Sequence, residues 1–194
     1  MKKIYICAAL GLFFASCSTE ESANTSTEEV KTVNVAASIS WVDVMNEIEV
    51  ACESNVEYKD VEDLIEQVTK IATSNTAFNG IAGKYVEPTA EELTYLMLTD
   101  DSAAIQNMNY SMEVKTYLEE LIVEKEPWTV EPTKDSNLSN VEIHLLTTLR
   151  DINDPDDEWN TKKPIAIAYG YQESIGKAVI AAVLVKEYTK ISKN

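Results

Sequence analysis

The sequence has few of the residues from which most catalytic and metal sites are built. It holds one histidine, His144, and three cysteines in 194 residues. Zinc sites with several histidine ligands and di-iron sites with two Glu-x-x-His motifs are therefore excluded. A Ser-His-acid triad would need His144, yet no serine stands in the G-x-S-x-G pattern that presents a nucleophile. We therefore expect a binding protein rather than an enzyme.

Basic residues are also scarce. The chain has 16 Lys and Arg against 33 Asp and Glu, which gives a formal charge of -17. This charge repels phosphate backbones, so we expect no nucleic-acid partner. It favours solubility and attracts basic proteins, basic peptides or cations.

The N-terminus is apolar, but it is too short for a transmembrane helix, which needs about 20 apolar residues. Lys2 and Lys3 precede an apolar run from Ile4 to Leu12, and small residues follow before Cys17. A basic head, an apolar core and small residues before a cleavage point are typical of a secretory signal.

The tetrapeptide Phe14-Ala15-Ser16-Cys17 resembles the lipobox of bacterial lipoprotein precursors. The resemblance implies that residues 1–16 are a signal peptide, that cleavage precedes Cys17, and that acyl chains such as palmitate are attached to its sulfur. It covers only this end of the chain. It implies a lipid anchor in the cell envelope at the outer membrane, on either the surface or the periplasmic face.

Cleavage would change both the charge and the cysteine count. Losing Lys2 and Lys3 leaves 14 basic against 33 acidic side chains, a formal charge of -19. With Cys7 removed and Cys17 lipidated, only Cys52 remains, so no disulfide can form within the mature chain. We expect Cys52 to be a small buried apolar side chain.

We predict three segments: the signal peptide, a lipidated tether at 17–37 and a helical domain at 38–194. The tether is rich in Ser, Thr and Glu and poor in apolar residues, which is typical of disorder. In the domain, apolar residues recur at helical spacing, with caps at Asp60, Thr89 and Ser139. Asn79-Gly80 and Gly83 are expected to break the chain. The segment from Asp100 to Pro127 predicts one helix or two joined near Asn109.

The most apolar segment lies near the C-terminus. Ala178 to Val185 has no polar face, which predicts a buried central helix. A β-hairpin turning at Glu173 to Lys177 is the alternative, and the alanine content favours helix. Residues 164–185 could form one helix or two. The sequence thus predicts an all-α protein, a small bundle of about six helices around an apolar C-terminal helix.

Two polar features are candidate ligand sites. Carboxylates cluster between Asp151 and Glu158, and an irregular Ca²⁺ site would use Asp154, Asp156, Asp157 and Glu158. An EF-hand is excluded because Pro155 and Asp156 occupy positions that its loop does not allow. Trp128 and Trp159 stand in turns, where their rings could stack on a sugar face.

One short motif has a catalytic precedent. Ser174-Ile175-Gly176-Lys177 matches the S-x-x-K motif of penicillin-binding enzymes, but the partner motifs K-T-G and S-D-N are missing. We therefore expect no catalytic residue in the chain. The predicted function is that of a lipid-anchored envelope protein whose acidic helical domain binds a basic protein, a cation or an envelope component, in a protective or accessory role. The alternative is an envelope hydrolase that uses carboxylates alone.

Overall fold

The computed structural model describes residues 40–54, 57–124, 137–152 and 161–191. These residues form nine α-helices, so the all-α prediction is confirmed. The helices are α1 (Trp41–Glu53), α2 (Val61–Ser74), α3 (Thr76–Ala82), α4 (Ala90–Leu98), α5 (Asp101–Gln106), α6 (Met112–Glu124), α7 (Asn140–Ile152), α8 (Lys162–Tyr171) and α9 (Ile175–Ile191).

The predicted helix starts are confirmed by their capping hydrogen bonds. The Asp60 side chain accepts from the backbone N–H of Asp63, and Thr89 and Glu92 form a complete capping box. Ser139 and Glu142 do the same at α7: the Glu142 N–H donates to Ser139 Oγ at 3.2 Å, and Ser139 N–H donates back to the Glu142 carboxylate at 2.8 Å. These bonds satisfy backbone donors that the first helical turn leaves unpaired.

The structure corrects the prediction between α2 and α4. Asn79-Gly80 does not break the chain, because both residues lie inside α3. Asn75 starts α3 by accepting the Phe78 N–H at 2.9 Å, and the buried Phe78 ring anchors the helix to the core. The predicted break at Gly83 is confirmed: α3 ends there, and the φ of 59° at Gly83 is a conformation that only glycine adopts readily.

The C-terminal segment is a pair of helices, α8 and α9, rather than a β-hairpin. The α8–α9 hairpin is the centre of the fold: α9 packs against α1, α2, α3 and α4, while α8 packs against α4, α5, α6 and α7. All eight side chains from Ala178 to Val185 are buried, as the absence of a polar face predicted. Each buried Val, Leu or Ile there contributes about 1.5–3 kcal/mol by leaving water.

Two glycines allow this hairpin to pack closely. A Cβ on Gly170 would lie 2.7 Å from backbone atoms of Ala178, and a Cβ on Gly176 would lie 2.8 Å from the Ala82 side chain. Gly170 therefore sets the separation of α8 and α9, and Gly176 that of α9 and α3.

Candidate functional site

The residues that the sequence predicted for ligands and for lipid lie outside the described part of the chain. They are Cys17, Trp128, Asp154, Asp156, Asp157, Glu158 and Trp159. Cys52 lies within the described residues and is buried, as expected.

The S-x-x-K motif is a helix start. Ser174 stands just before α9, and its Oγ accepts the backbone N–H of Lys177 at 3.1 Å. The Lys177 ammonium instead donates to Glu173 at 2.6 Å and to Glu92 at 2.7 Å. The serine is thus used as a cap and the lysine as an ion-pair partner, an arrangement that serves folding.

Lys177 is the centre of a buried charge cluster between α4, α8 and α9. Its side chain is only 3% exposed. Burial by itself would lower the pKa of Lys177, but the hydrogen bonds to Glu173 and Glu92 outweigh it and raise the pKa. Burial would likewise raise the pKa of Glu92, yet the bonds from Lys177 and the Thr89 N–H lower it. Both groups are therefore held in their charged forms.

A small cavity lies beside this cluster. It is lined by Glu92, Tyr169 and Lys177 together with apolar side chains of α4 and α9, and its volume is about 10 Å³. A space of about 10–15 Å³ holds one water molecule. The cavity is therefore too small for an organic substrate.

A second charge cluster joins α1 to the hairpin. The buried Glu49 carboxylate lies 2.5 Å from Nζ of Lys163 and 2.7 Å from Nζ of Lys186, and Lys186 also reaches Glu53 at 3.3 Å. Burial would lower the pKa of Lys186, but its hydrogen bond to Glu49 and the nearby carboxylate charge raise it. The cluster fixes α1 against both helices of the hairpin.

A third cluster surrounds Glu187, near the end of α9. Its carboxylate accepts the Tyr58 hydroxyl at 2.8 Å and the Lys190 ammonium at 2.8 Å. Burial, and then the charge of Glu187, raises the pKa of the Cys52 thiol to about 11. Cys52 therefore stays protonated at neutral pH and is a poor nucleophile.

The lysines of the hairpin are paired with carboxylates, and Lys162, Lys163 and Lys177 are largely buried, whereas Lys186 and Lys190 are 42% and 37% exposed. Residues 161–191 contain five lysines and two glutamates, and each of the five lysines has a carboxylate partner. At α5 the pair is Lys162 with Asp101, at 2.6 Å. The other helices supply most of these carboxylates, so the ion pairs join the hairpin to α1, α4 and α5.

Most carboxylates of α1, α2 and the segment between them are exposed. Residues 41–74 contain nine acidic residues and two lysines. Seven of the acidic residues are exposed: Asp43, Glu47, Glu53, Glu57, Asp60, Glu62 and Glu66. We call these seven side chains the α1–α2 acidic surface. Because α1 packs against α2, these side chains lie on adjacent elements, and their like charges add to the negative potential around both helices.

His144 is exposed on α7, and its ring contacts aromatic neighbours. Its Nδ1 lies 2.6 Å from the Tyr171 hydroxyl, and the Tyr171 ring stacks on Trp41 with centroids 6.4 Å apart. Among the described side chains, no nucleophile or metal ligand contacts these three rings. We interpret them as a packing contact between α7, α8 and α1.

No group of three or more His, Cys, Asp or Glu side chains in the described ranges is arranged to hold a metal ion. None of the described helices combines the length and apolarity needed to cross a bilayer.

Comparison with known proteins returns no relative. No family model, no curated protein and no solved structure matches the chain.

The sequence reasoning missed the three buried charge clusters. Their members look like ordinary surface residues, because Lys177 and Lys186 are single cations beside apolar segments and Lys163 is the second of an adjacent lysine pair. One signal was present: a lysine that interrupts an otherwise apolar helix requires a carboxylate partner if it is buried.

Proposed function

We propose that the protein is a lipid-anchored lipoprotein of the bacterial envelope and that its acidic helical domain acts by binding a basic protein or peptide. The observation that carries the proposal is the α1–α2 acidic surface, where seven exposed carboxylates outnumber the exposed lysines beside them: Lys59 and Lys70 of the same segment and Lys186, which pairs with Glu53. A partner of opposite charge would be attracted to it from a distance and would dock in a preferred orientation.

The placement of the lysines supports this. An acidic surface is weakened as a binding site when neighbouring cations neutralise it. Here Lys163 and Lys177 are buried against carboxylates, so their charges do not reach the outer face of α2. The negative potential outside is thereby kept, while the positive charges hold the hairpin in place.

The N-terminal sequence supports the location. The lipobox residues up to Cys17 and the Ser, Thr and Glu-rich stretch behind them would place the domain on a flexible arm with a mean reach of about 25 Å. An anchored acidic domain of this kind fits a protective role, in which it captures a basic toxin or enzyme outside the cell.

The carboxylate-hydrolase alternative gains no support from the described residues. A general acid needs a carboxyl whose pKa is raised toward neutrality. The pKa values of Glu92 and Glu142 are instead lowered by the hydrogen bonds that they accept. Both carboxylates serve helix caps, and the cavity beside Glu92 is about 10 Å³.

The anchor is tested by metabolic labelling. Wild-type protein should incorporate labelled palmitate and sediment with membranes, and Cys17→Ser should do neither. Cys52→Ser is the matched control and should behave as wild type. Labelling that persists in the Cys17→Ser protein would remove the anchor from the proposal.

Binding is tested with an oligolysine peptide on the full-length protein. Association should slow as salt rises, because exposed charges farther apart than about 8 Å are screened at physiological ionic strength. Glu62→Gln with Glu66→Gln, on α2, should weaken binding more than Glu113→Gln with Glu120→Gln, on α6. Binding that does not depend on ionic strength would reject the proposed function.

A further inference from the structure

The outward face of α4 exposes an apolar side chain next to an aromatic one. Leu98 is 75% exposed, and it shares a face with Ala90, Thr94 and Tyr95. These residues and Glu91 line a shallow depression of about 440 Å³. We call these five residues the α4 face.

The aromatic ring of this face is held in place. Tyr95 accepts a hydrogen bond from the Asn107 amide at 3.1 Å, and its ring lies against Tyr169 with centroids 6.2 Å apart. A ring that is already immobilised loses little conformational entropy when a partner packs on it. Tyrosines of this kind are common at the centres of protein interfaces.

The charges around the α4 face are negative. Residues 85–114 contain no Lys or Arg, and Glu87, Glu91 and Asp100 are exposed around α4. Lys162 reaches the Thr99 carbonyl at 2.5 Å, but it is paired with Asp101. An apolar centre with an acidic rim is complementary to an apolar side chain flanked by basic ones.

We propose that the α4 face is the apolar anchor point for the basic polypeptide partner, which inserts an aliphatic or aromatic side chain against Tyr95 and Leu98 while its cations lie against the surrounding carboxylates. This rests on the proposed function and adds the class of partner: basic and amphipathic, not merely basic. Because α2 packs against α4, one partner can contact both the α4 face and the α1–α2 acidic surface.

The experiment compares two synthetic peptides on the full-length protein. One is an amphipathic helix of Lys and Leu, and the other has every Leu replaced by Gln at the same net charge. Leu98→Ser should weaken the Lys/Leu peptide about tenfold, as expected for partial loss of one buried leucine contact. Leu98→Ser should leave the affinity for the Lys/Gln peptide unchanged.

Val123→Ser is the matched control, because Val123 is 81% exposed on α6 and has the same apolar character. It should leave both peptides unaffected. If the Lys/Leu peptide binds but Leu98→Ser and Val123→Ser give equal affinities, the anchor point is wrong and the proposed function stands. If neither peptide binds at low salt, the proposed function fails, and the anchor point fails with it.

Discussion

The carboxylate of Glu187, which has no exposed surface, accepts a hydrogen bond from the Tyr58 hydroxyl at 2.8 Å. The two residues are 129 positions apart in the sequence. Tyr58 lies just before α2 and Glu187 near the end of α9, so this bond ties the start of the domain to the end of the central helix. A buried carboxylate needs such donors, because an unpaired charge inside a protein is costly.

Tyr58→Phe should destabilise the domain. The substitution keeps the ring and removes only the donor, which leaves Glu187 with Lys190. A lost hydrogen bond to a buried charged group costs about 1.5–3 kcal/mol. Urea denaturation followed by circular dichroism measures the change. Tyr85→Phe is the control, because the Tyr85 ring packs edge-on against Phe78 and its hydroxyl is not part of a charge cluster. Equal midpoints for the two variants would contradict the importance of the bond.

Glu92→Ala should cost more stability than any other single loss of a carboxylate on α4. It removes the bond from the Thr89 N–H to the Glu92 carboxylate, while Thr89 Oγ still accepts the backbone N–H of residue 92, and it leaves the buried Lys177 ammonium with Glu173 alone. Removing one partner of a buried ion pair adds a cost of about 3–5 kcal/mol, which the remaining Glu173 contact reduces. Chemical denaturation of the purified variant gives the free energy of unfolding.

Glu91→Ala is the matched control for Glu92→Ala, because it removes an exposed carboxylate from the same helical turn.

Lys177→Met tests the other partner of the ion pair. Glu92 and Glu173 are 23% and 46% exposed, so they can be hydrated when the lysine is gone. We expect Lys177→Met to cost less than Glu92→Ala. If Lys177→Met instead cost more stability than Glu92→Ala, the stability of the cluster would depend on the lysine more than on the carboxylate at the helix cap.

The loss of folding stability at low pH should depend on Glu142. Burial would raise the pKa of this carboxyl, but the N–H groups of Ser139 and Ser111 lower it from 4.5 to about 2. Because the folded pKa lies below the unfolded one, the stabilisation is complete above about pH 5 and is lost as the pH falls toward 2. Denaturation from pH 7 down to pH 2 should show wild type converging on Glu142→Gln. Glu120→Gln, on the exposed side of α6, should keep the wild-type slope, and a Glu142→Gln curve parallel to wild type would refute the assignment.

The elements that sequence reasoning predicted well are those specified by neighbouring residues. The caps at Asp60, Thr89 and Ser139 act within one helical turn, and α9 follows from a local run without polar residues. Local signals therefore sufficed for the all-α class and for the buried position of the C-terminal helix.

The features that sequence reasoning missed depend on distant contacts or on weak local signals. The start of α3 rests on Asn75, and the helix buries only Phe78 and Ala82, too few residues to give a recognisable helical pattern. The break between α8 and α9 comes from the cap at Ser174, which the S-x-x-K match concealed. The pairs of Lys177 with Glu92 and of Lys186 with Glu49 span 85 and 137 positions, so no local pattern could reveal them.

Gly170→Ala should be the most damaging single-methyl change in the hairpin. The new Cβ would lie 2.7 Å from the Cα and N of Ala178, and backbone atoms cannot rotate away as a side-chain end can. The helices α8 and α9 must separate, and overpacking of this kind costs about 1–3 kcal/mol or more.

Gly80→Ala is the opposite case, because Gly80 lies inside α3 and a Cβ added there would meet nothing within 4 Å. Alanine there should stabilise the domain by up to about 1 kcal/mol, since glycine is the poorer helix former. Thermal unfolding of the two variants should therefore shift in opposite directions from wild type, and a Gly170→Ala protein as stable as wild type would mean that α8 and α9 are not in close contact at this point.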